Sequence, residues 1–524
     1  MSRTTRHPRP RKARYAFFPI LIALLATGLA TGPHALAAQG AQTPQGAHEV
    51  QARAPSLHSP APIADSLSLE VDRLFERWHR PDSPGATVLV LRDGQVVHAR
   101  GYGMASLEHG VPLRTNSVFD IASVSKQFGA FAIALLEADG ALSVDDDVRT
   151  YIPELPDFGH TITLRHLIHH TSGLRDWPGT LSMAGWSYED IMSFDQILRM
   201  AYHQRDLNFA PGEEYAYSNT GYNLLAEVVA RVSGMSFRAF CEERIFSPLG
   251  MTRTHFHDDH SEVVRDRADS YRPAPASAGG GFRRVTSNLT ALGSSSLFTT
   301  VEDLARWIHN FEEPVVGNAR VMARMHERGI LNGGDTLVYA GGQNFGRTRG
   351  LESWSHGGSW AGYRSTLLRF PEQRFGVVIL SNTSDMNPGN LGQQIARLYL
   401  EEAMDPEPAR TAAAGGGGGG GAGGGGAGGA ADPWNPSSSE LESYAGEYHS
   451  SELLTSYRLE VRDGRLVAVH FRTGDRTFQP VAPDQFRSGG FGDVRFVRDA
   501  DGTLLGFTAN QTRIRGLLFE RVRP

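Results

Sequence analysis

The sequence predicts an α+β fold: one antiparallel sheet flanked by helices and interrupted by a helical insertion, followed by a small C-terminal domain of antiparallel β-barrel type. Three observations predict it. Strand patterns stand at both ends of residues 65–405 with mainly helix and loop patterns between, so the two ends of this region supply one sheet. Residues 415–429 are almost pure glycine, which can bury nothing, and 406–432 therefore reads as a linker. Residues 433–524 are short alternating runs broken by turn signals, as in a small barrel or sandwich.

The chain opens with Arg3, Arg6, Arg9, Arg11, Lys12 and Arg14, then an apolar run over 16–30, then Ala35-Leu36-Ala37. That is the order of a secretory signal peptide, and the apolar run is short for a membrane span. Residues 1–37 are expected to be removed near Ala37, with export to the periplasm or the medium and no stable membrane anchor. Residues 38–64, rich in Ala, Pro, Gln and Ser, read as a disordered leader. The formal charge is −6, and −12 without the six basic leader residues, a poor balance for nucleic acid. The one cysteine, Cys241, excludes an internal disulfide and sits in an apolar pattern that predicts burial.

Within 65–405, residues 66–79 place Leu67, Val71, Leu74, Phe75 and Trp78 on one helical stripe. Residues 86–91 and 95–100 form a hairpin about Asp93-Gly94. Helical spacing returns over 123–138, with Gly140 as its stop, and again over 220–232, ended by Gly234, and over 301–310. Strands follow at 363–370 and 375–381 around Pro371-Glu372, then a helix at about 390–402. In the last domain, Asp463-Gly464 and Asp501-Gly502 mark hairpin turns.

The stretch with chemistry is Phe119-Asp120-Ile121-Ala122-Ser123-Val124-Ser125-Lys126. Ser123 and Lys126 are three apart at a helix start, so hydroxyl and amine share a face. Lys12 and Lys126 are the only lysines among 51 basic residues. Arginine cannot give up its proton in a protein, whereas a lysine of depressed pKa can, so a site needing a neutral amine must keep lysine. Two other stretches supply partners: Tyr217-Ser218-Asn219 before the 220–232 helix, and His356-Gly357-Gly358-Ser359 just before a strand. Taken alone, the first is equally a turn with Asn219 as helix N-cap, and His356 a surface turn residue. His255, His257, Asp258, Asp259 and His260 lack a recognised ligand spacing and read as an exposed loop; no metal and no cofactor are expected. His166 and His170 are four apart, but Leu167 holds the place where a zincin needs glutamate.

In this order, the three stretches resemble the signature set of the penicillin-recognising serine enzymes, the serine β-lactamase-like and penicillin-binding protein family. Leu167 to Leu174, Pro211-Gly212-Glu213 and Pro248-Leu249-Gly250-Met251 frame them in a family-like way. The likeness covers about 65–402 and is nearest the branch of class C β-lactamases, D-aminopeptidases and related esterases. It implies a β-lactamase/transpeptidase-like sheet with Ser123 as acylated nucleophile and Lys126 as its activator. Tyr217 would be a general base whose phenol pKa Lys126 lowers. Asn219 would bind substrate amide or orient Lys126. The backbone N–H groups of Ser123 and Ser359, with Gly358 beside them, would form the oxyanion hole. His356 departs from the family's usual lysine, and a histidine is only partly charged at neutral pH. The implied activity is an exported serine acyl hydrolase acting on small peptides, esters or amides, with D-amino-acid peptides among them. The rival readings are a true β-lactamase and a penicillin-binding sensor or scaffold without turnover.

Overall fold

Near-continuous apolar runs and two tight turns decide the central sheet. The protein is described by a computed structural model over residues 66–406 and 434–523; the expected signal peptide, leader and glycine linker lie outside the described residues. Helix α1 (Ser66–Phe75) turns Val71 and Phe75 inward. Strand β1 (Ala86–Arg92) and strand β2 (Gln95–Tyr102) pair antiparallel across Asp93-Gly94, both at positive φ (50° and 71°), the backbone that a two-residue hairpin of matching twist requires. Along β1, Val88 and Val90 enter the core packed with α1, while Leu89 and Leu91 enter the core on the opposite face. The sheet is thus buried on both sides.

A short strand, β3 (Phe119–Asp120), leads through a 3-10 turn (Ala122–Ser125) into helix α2 (Lys126–Ala138). α2 is apolar almost all round and buries Phe128, Phe131 and Leu135, so it runs through the helical core rather than along the surface. Helix α3 (Asn219–Ser233) packs beside it and ends at Gly234, which takes the left-handed conformation (φ 71°) of a helix C-cap. Its N-cap is Ser218, whose hydroxyl accepts from Gly221 N–H, so Asn219 is not the cap and is left for other work. Strand β4 (His255–Phe256) and β3 flank β5 (Leu297–Thr299) in a small sheet, and helix α4 (Val301–Glu312) follows.

The chain then returns to the main sheet with β6 (Asn344–Thr348), β7 (Leu351–Trp360), β8 (Tyr363–Phe370) and β9 (Phe375–Ser381), and closes with helix α5 (Pro388–Leu400). The strand order is β6-β7-β8-β9-β1-β2, every pair antiparallel, so the first and last strands of the region do meet in one sheet. His356 to Ser359 lies inside β7, where the sequence placed it ahead of a strand. The expectation of an exposed 255–260 loop is also corrected: His255 belongs to β4, and His257 is 2% exposed because its ring packs 4.5 Å from that of Phe298.

Residues 446–521 form a closed barrel of eight antiparallel strands, β10 (Gly446–Ser450) to β17 (Ile514–Arg521), the last hairpin being β16 (Leu504–Gln511) with β17. Closure leaves no free sheet edge. The barrel packs against the helical region. Arg175 donates to both carboxylate oxygens of Glu452 (2.9 and 3.0 Å) in a buried pair, and Tyr457 donates its hydroxyl proton to the Met183 carbonyl at 2.9 Å.

Candidate active site

The expected residues converge. Ser123, Tyr217, Asn219, His356, Gly358 and Ser359 all line one cleft of 1380 Å³, and Lys126 sits beneath them, fully buried. Four segments far apart in sequence make this meeting: the turn before α2, the start of α3, strand β7 and the segment 176–188, which opens with a short helix (Trp177–Met183).

The turn carrying Ser123 is strained. Ala122 has φ 49°, a left-handed conformation that costs free energy for a residue with a Cβ. It is held there from two sides. Ala122 N–H donates to Asp120 Oδ1 at 2.8 Å, and Ser365 Oγ–H donates to the Ile121 carbonyl at 2.7 Å. Strand β7 must come very close: a Cβ at Gly358 would lie 2.2 Å from the Ile121 carbonyl oxygen, so only glycine fits. The residue pattern around Gly358 thus has a steric cause.

Lys126 Nζ has three polar neighbours: Asn219 Oδ1 at 2.7 Å, the Ser294 carbonyl at 2.8 Å and Ser123 Oγ at 3.2 Å. Two of these can only accept. A neutral amine has two N–H bonds and one lone pair, so those two acceptors take both protons and the lone pair is left for the Ser123 hydroxyl. Burial holds the Lys126 amine well below the usual lysine range; Asp176 opposes this and Arg513 adds to it.

Asn219 is itself held. Its Nδ2–H donates to Asp176 (2.9 and 3.2 Å), and its backbone N–H donates to Asp176 Oδ1 at 2.8 Å, which turns Oδ1 of Asn219 towards Lys126. Asp176 was not legible in advance. Its one signal was position, two residues beyond the family-like Leu167 to Leu174 frame.

Tyr217 corrects an expectation. Its phenol pKa is not lowered; burial raises it well above the usual tyrosine range, and the nearby Ser123 hydroxyl offsets only part of this. Lys126 Nζ lies 4.8 Å over the face of the Tyr217 ring, where it cannot hydrogen-bond the phenol oxygen, and that oxygen makes no well-formed hydrogen bond. Behind it, the His170 ring packs 4.2 Å from the Tyr217 ring and accepts the Ser218 N–H through Nδ1 at 3.1 Å, which makes His170 a neutral structural support.

His356 is sharpened too. Its Nδ1–H donates to the Gly357 carbonyl at 2.6 Å, and its Nε2 accepts from the Tyr339 hydroxyl at 3.0 Å. Burial first, and the Lys126 charge second, push it down to about 3. It is therefore neutral near pH 7, rather than partly charged.

The barrel supplies a residue that the sequence did not reveal. Arg513, in the turn between β16 and β17, donates from Nη1 to Asp176 Oδ2 at 3.0 Å and lies 4.7 Å over the outer face of the Tyr217 ring. It lines the cleft 390 positions from Ser123 in the chain, and no local pattern marks it. Part of the lining is aromatic: Trp360 packs 5.6 Å from Trp177 and 5.4 Å from Tyr188.

Known proteins carry the same frame. The family described as Beta-lactamase matches residues 71–401. A protein named Penicillin-binding protein 4*, from Bacillus subtilis (strain 168), is 31% identical over 333 residues, 60% of this chain and 71% of that protein. A D-aminopeptidase of Gluconobacter oxydans (strain 621H) is 27% identical over 321 residues, and the chain spans 60% of its length. Among solved structures, the octameric penicillin-binding protein homologue from Pyrococcus abyssi superposes with TM-score 0.55 at 22% identity, covering 86% of this chain and 98% of that one. The D-amino acid amidase from Ochrobactrum anthropi SV3 gives TM-score 0.55 at 20% identity over 65% of this chain and all of that one. At these identities the superpositions speak for the fold alone.

Proposed function

This chain belongs to the β-lactamase family, and on that premise we propose that it is an exported serine acyl hydrolase that works through an acyl-enzyme on Ser123. The observation that carries the proposal is the threefold environment of Lys126 Nζ, in which two fixed acceptors leave the amine lone pair for the Ser123 hydroxyl.

In the first step Ser123 Oγ gives its proton to Lys126 Nζ and bonds to the substrate carbonyl carbon. The carbonyl oxygen becomes an oxyanion that accepts from the backbone N–H groups of Ser123 and Ser359. The ammonium formed at Lys126 then returns a proton to the leaving amine or alkoxide as its bond to carbon breaks. Tyr217, which keeps its proton, donates a hydrogen bond on that side. In the second half-reaction a water gives a proton to Lys126 and bonds to the acyl carbon, and Lys126 returns that proton to Ser123 Oγ as the Oγ–carbon bond breaks. Asn219 and Asp176 hold the amine in place throughout.

The substrate class follows from the walls. A neutral His356 offers no fixed charge to a substrate carboxylate, while Arg513 and Arg364 offer charge from other directions. The Trp177, Tyr188 and Trp360 wall suits an apolar side chain. The relative named D-aminopeptidase supports small amides and peptides, D-residues among them, as substrates.

The purified mature chain is tested against D- and L-aminoacyl p-nitroanilides, p-nitrophenyl esters and nitrocefin. Turnover of amides or esters with slow nitrocefin release supports the proposal. Fast nitrocefin turnover would make it a β-lactamase instead, and acylation without turnover a penicillin-binding sensor. The N-terminal sequence of the exported protein, expected to begin after Ala37, tests the targeting.

A further inference from the structure

A second cluster of functional side chains lies on the strand behind the nucleophile. β4 pairs with β5, and β5 pairs with β3, which runs into the Ser123 turn. His255 and His257 are two apart on extended backbone, so both rings project from the same face. The loop that follows brings Glu262 back to them. One ligand atom from each of His255, His257 and Glu262 falls within 4.8 Å of the others, the only such group among the described residues.

What separates this cluster from an ordinary polar loop is unsatisfied burial. His257 is buried, and neither of its ring nitrogens has a hydrogen-bond partner in the protein; Nε2 of His255 is likewise buried and unpaired. Buried polar atoms are nearly always paired, so three unpaired imidazole nitrogens in one place ask for a partner. Burial also keeps both rings neutral, as a metal ligand must be, with His257 pushed down to about 4. Arg238 grips both oxygens of Glu262 (2.5 and 3.0 Å) and also Asp258. It fixes the carboxylate and leaves further lone pairs on each oxygen. Arg267, over the Phe298 ring at 4.7 Å, and Arg238 itself are the nearby positive charges that oppose a cation, and Glu262 and Asp258 oppose them in turn.

We propose that His255, His257 and Glu262 form a site for a divalent transition metal of the Zn²⁺ class, which ties the 258–262 loop to the strand behind the nucleophile. Two imidazoles and one carboxylate suit Zn²⁺ and its neighbours rather than Mg²⁺ or Ca²⁺. Bonds of about 2.0–2.1 Å in a tetrahedral set bring ligand atoms to about 3.3 Å apart, a contraction that the loop can supply because Asp259 and His260 are exposed.

The test uses the full chain without a histidine tag, stripped with EDTA. It is titrated with Zn²⁺ by calorimetry and with Co²⁺ by visible absorption. The expected result is one metal per chain, intense tetrahedral Co²⁺ bands and a higher Tm with Zn²⁺. His255→Gln and Glu262→Gln should each weaken binding at least about tenfold, with unchanged circular dichroism. The Glu262 side chain is 36% exposed and glutamine keeps its size, so unchanged circular dichroism and an unchanged metal-free Tm separate lost binding from lost fold. No binding at millimolar Zn²⁺, or binding left intact in the double variant, overturns the proposal.

Discussion

The two walls of the cleft were built by different means. The floor holds Ser123, Lys126, Tyr217 and Asn219. Each pair within it is set by short-range spacing: i and i+3 at the start of α2, and the residues at the start of α3. The outer wall holds Arg513, which arrives from the barrel by docking, and Asp176 joins the two by binding Asn219 on one side and Arg513 on the other. The difference teaches that the base and nucleophile are a local device. The charge that surrounds them is a property of how two compact bodies meet.

The largest effect belongs to the floor. Lys126→Arg keeps a long basic side chain but replaces the neutral amine by a permanent cation with no lone pair to give, and should lower kcat/KM about 10²–10⁴-fold with circular dichroism unchanged. Retained activity would place the base elsewhere.

The contact between the bodies comes next. Glu452→Ala leaves the Arg175 guanidinium buried and uncompensated, and breaking such a pair costs about 3–5 kcal/mol. Denaturant unfolding should show that loss. A change within 0.5 kcal/mol would mean that the barrel is held by other contacts.

Arg513→Gln tests the outer wall and leaves the four floor residues themselves unchanged. It should raise KM for substrates with a free carboxylate about 10–100-fold, the worth of a charged hydrogen bond. Small neutral esters should change by no more than about threefold. Equal losses for both substrate types would mean that Arg513 acts on the floor through Asp176, and the division between the walls would fail.

The smallest effect reports on the strained turn. Burial pushes Asp120 up to about 6 from an ordinary 3.8. A raised folded-state pKa gives stability that is complete below about 4 and is lost as pH rises through about 6. Asp120→Asn should therefore flatten the pH dependence of Tm between pH 4 and 8. A wild-type Tm that rises across that window would contradict the assignment.

Much of this was legible in the sequence, and the boundary is physical. The strands at 363–370 and 375–381 were readable because apolar runs and a Pro-Glu turn are local signals. Ser123 and Lys126 were readable because three residues on a helix fix a distance. The sign of the Tyr217 shift was not, because it depends on burial and on Lys126 facing the ring instead of the hydroxyl. Burial of His257 depends on Phe298, 41 residues on, and Arg513 depends on the docking of a whole domain. Spacing predicts neighbours along one element; it says nothing about which distant surface will cover them.

The central claim is a neutral Lys126 acting on Ser123. Intact mass spectrometry of the enzyme, quenched early after addition of an acylating ester or β-lactam at several pH values and followed by peptide mapping, tests it most directly. One adduct is expected, on Ser123. Its rate of formation should rise with pH through a single ionisation well below the ordinary lysine value, with no step from His356. An adduct on another residue, or a rate that climbs only near pH 10, would contradict it.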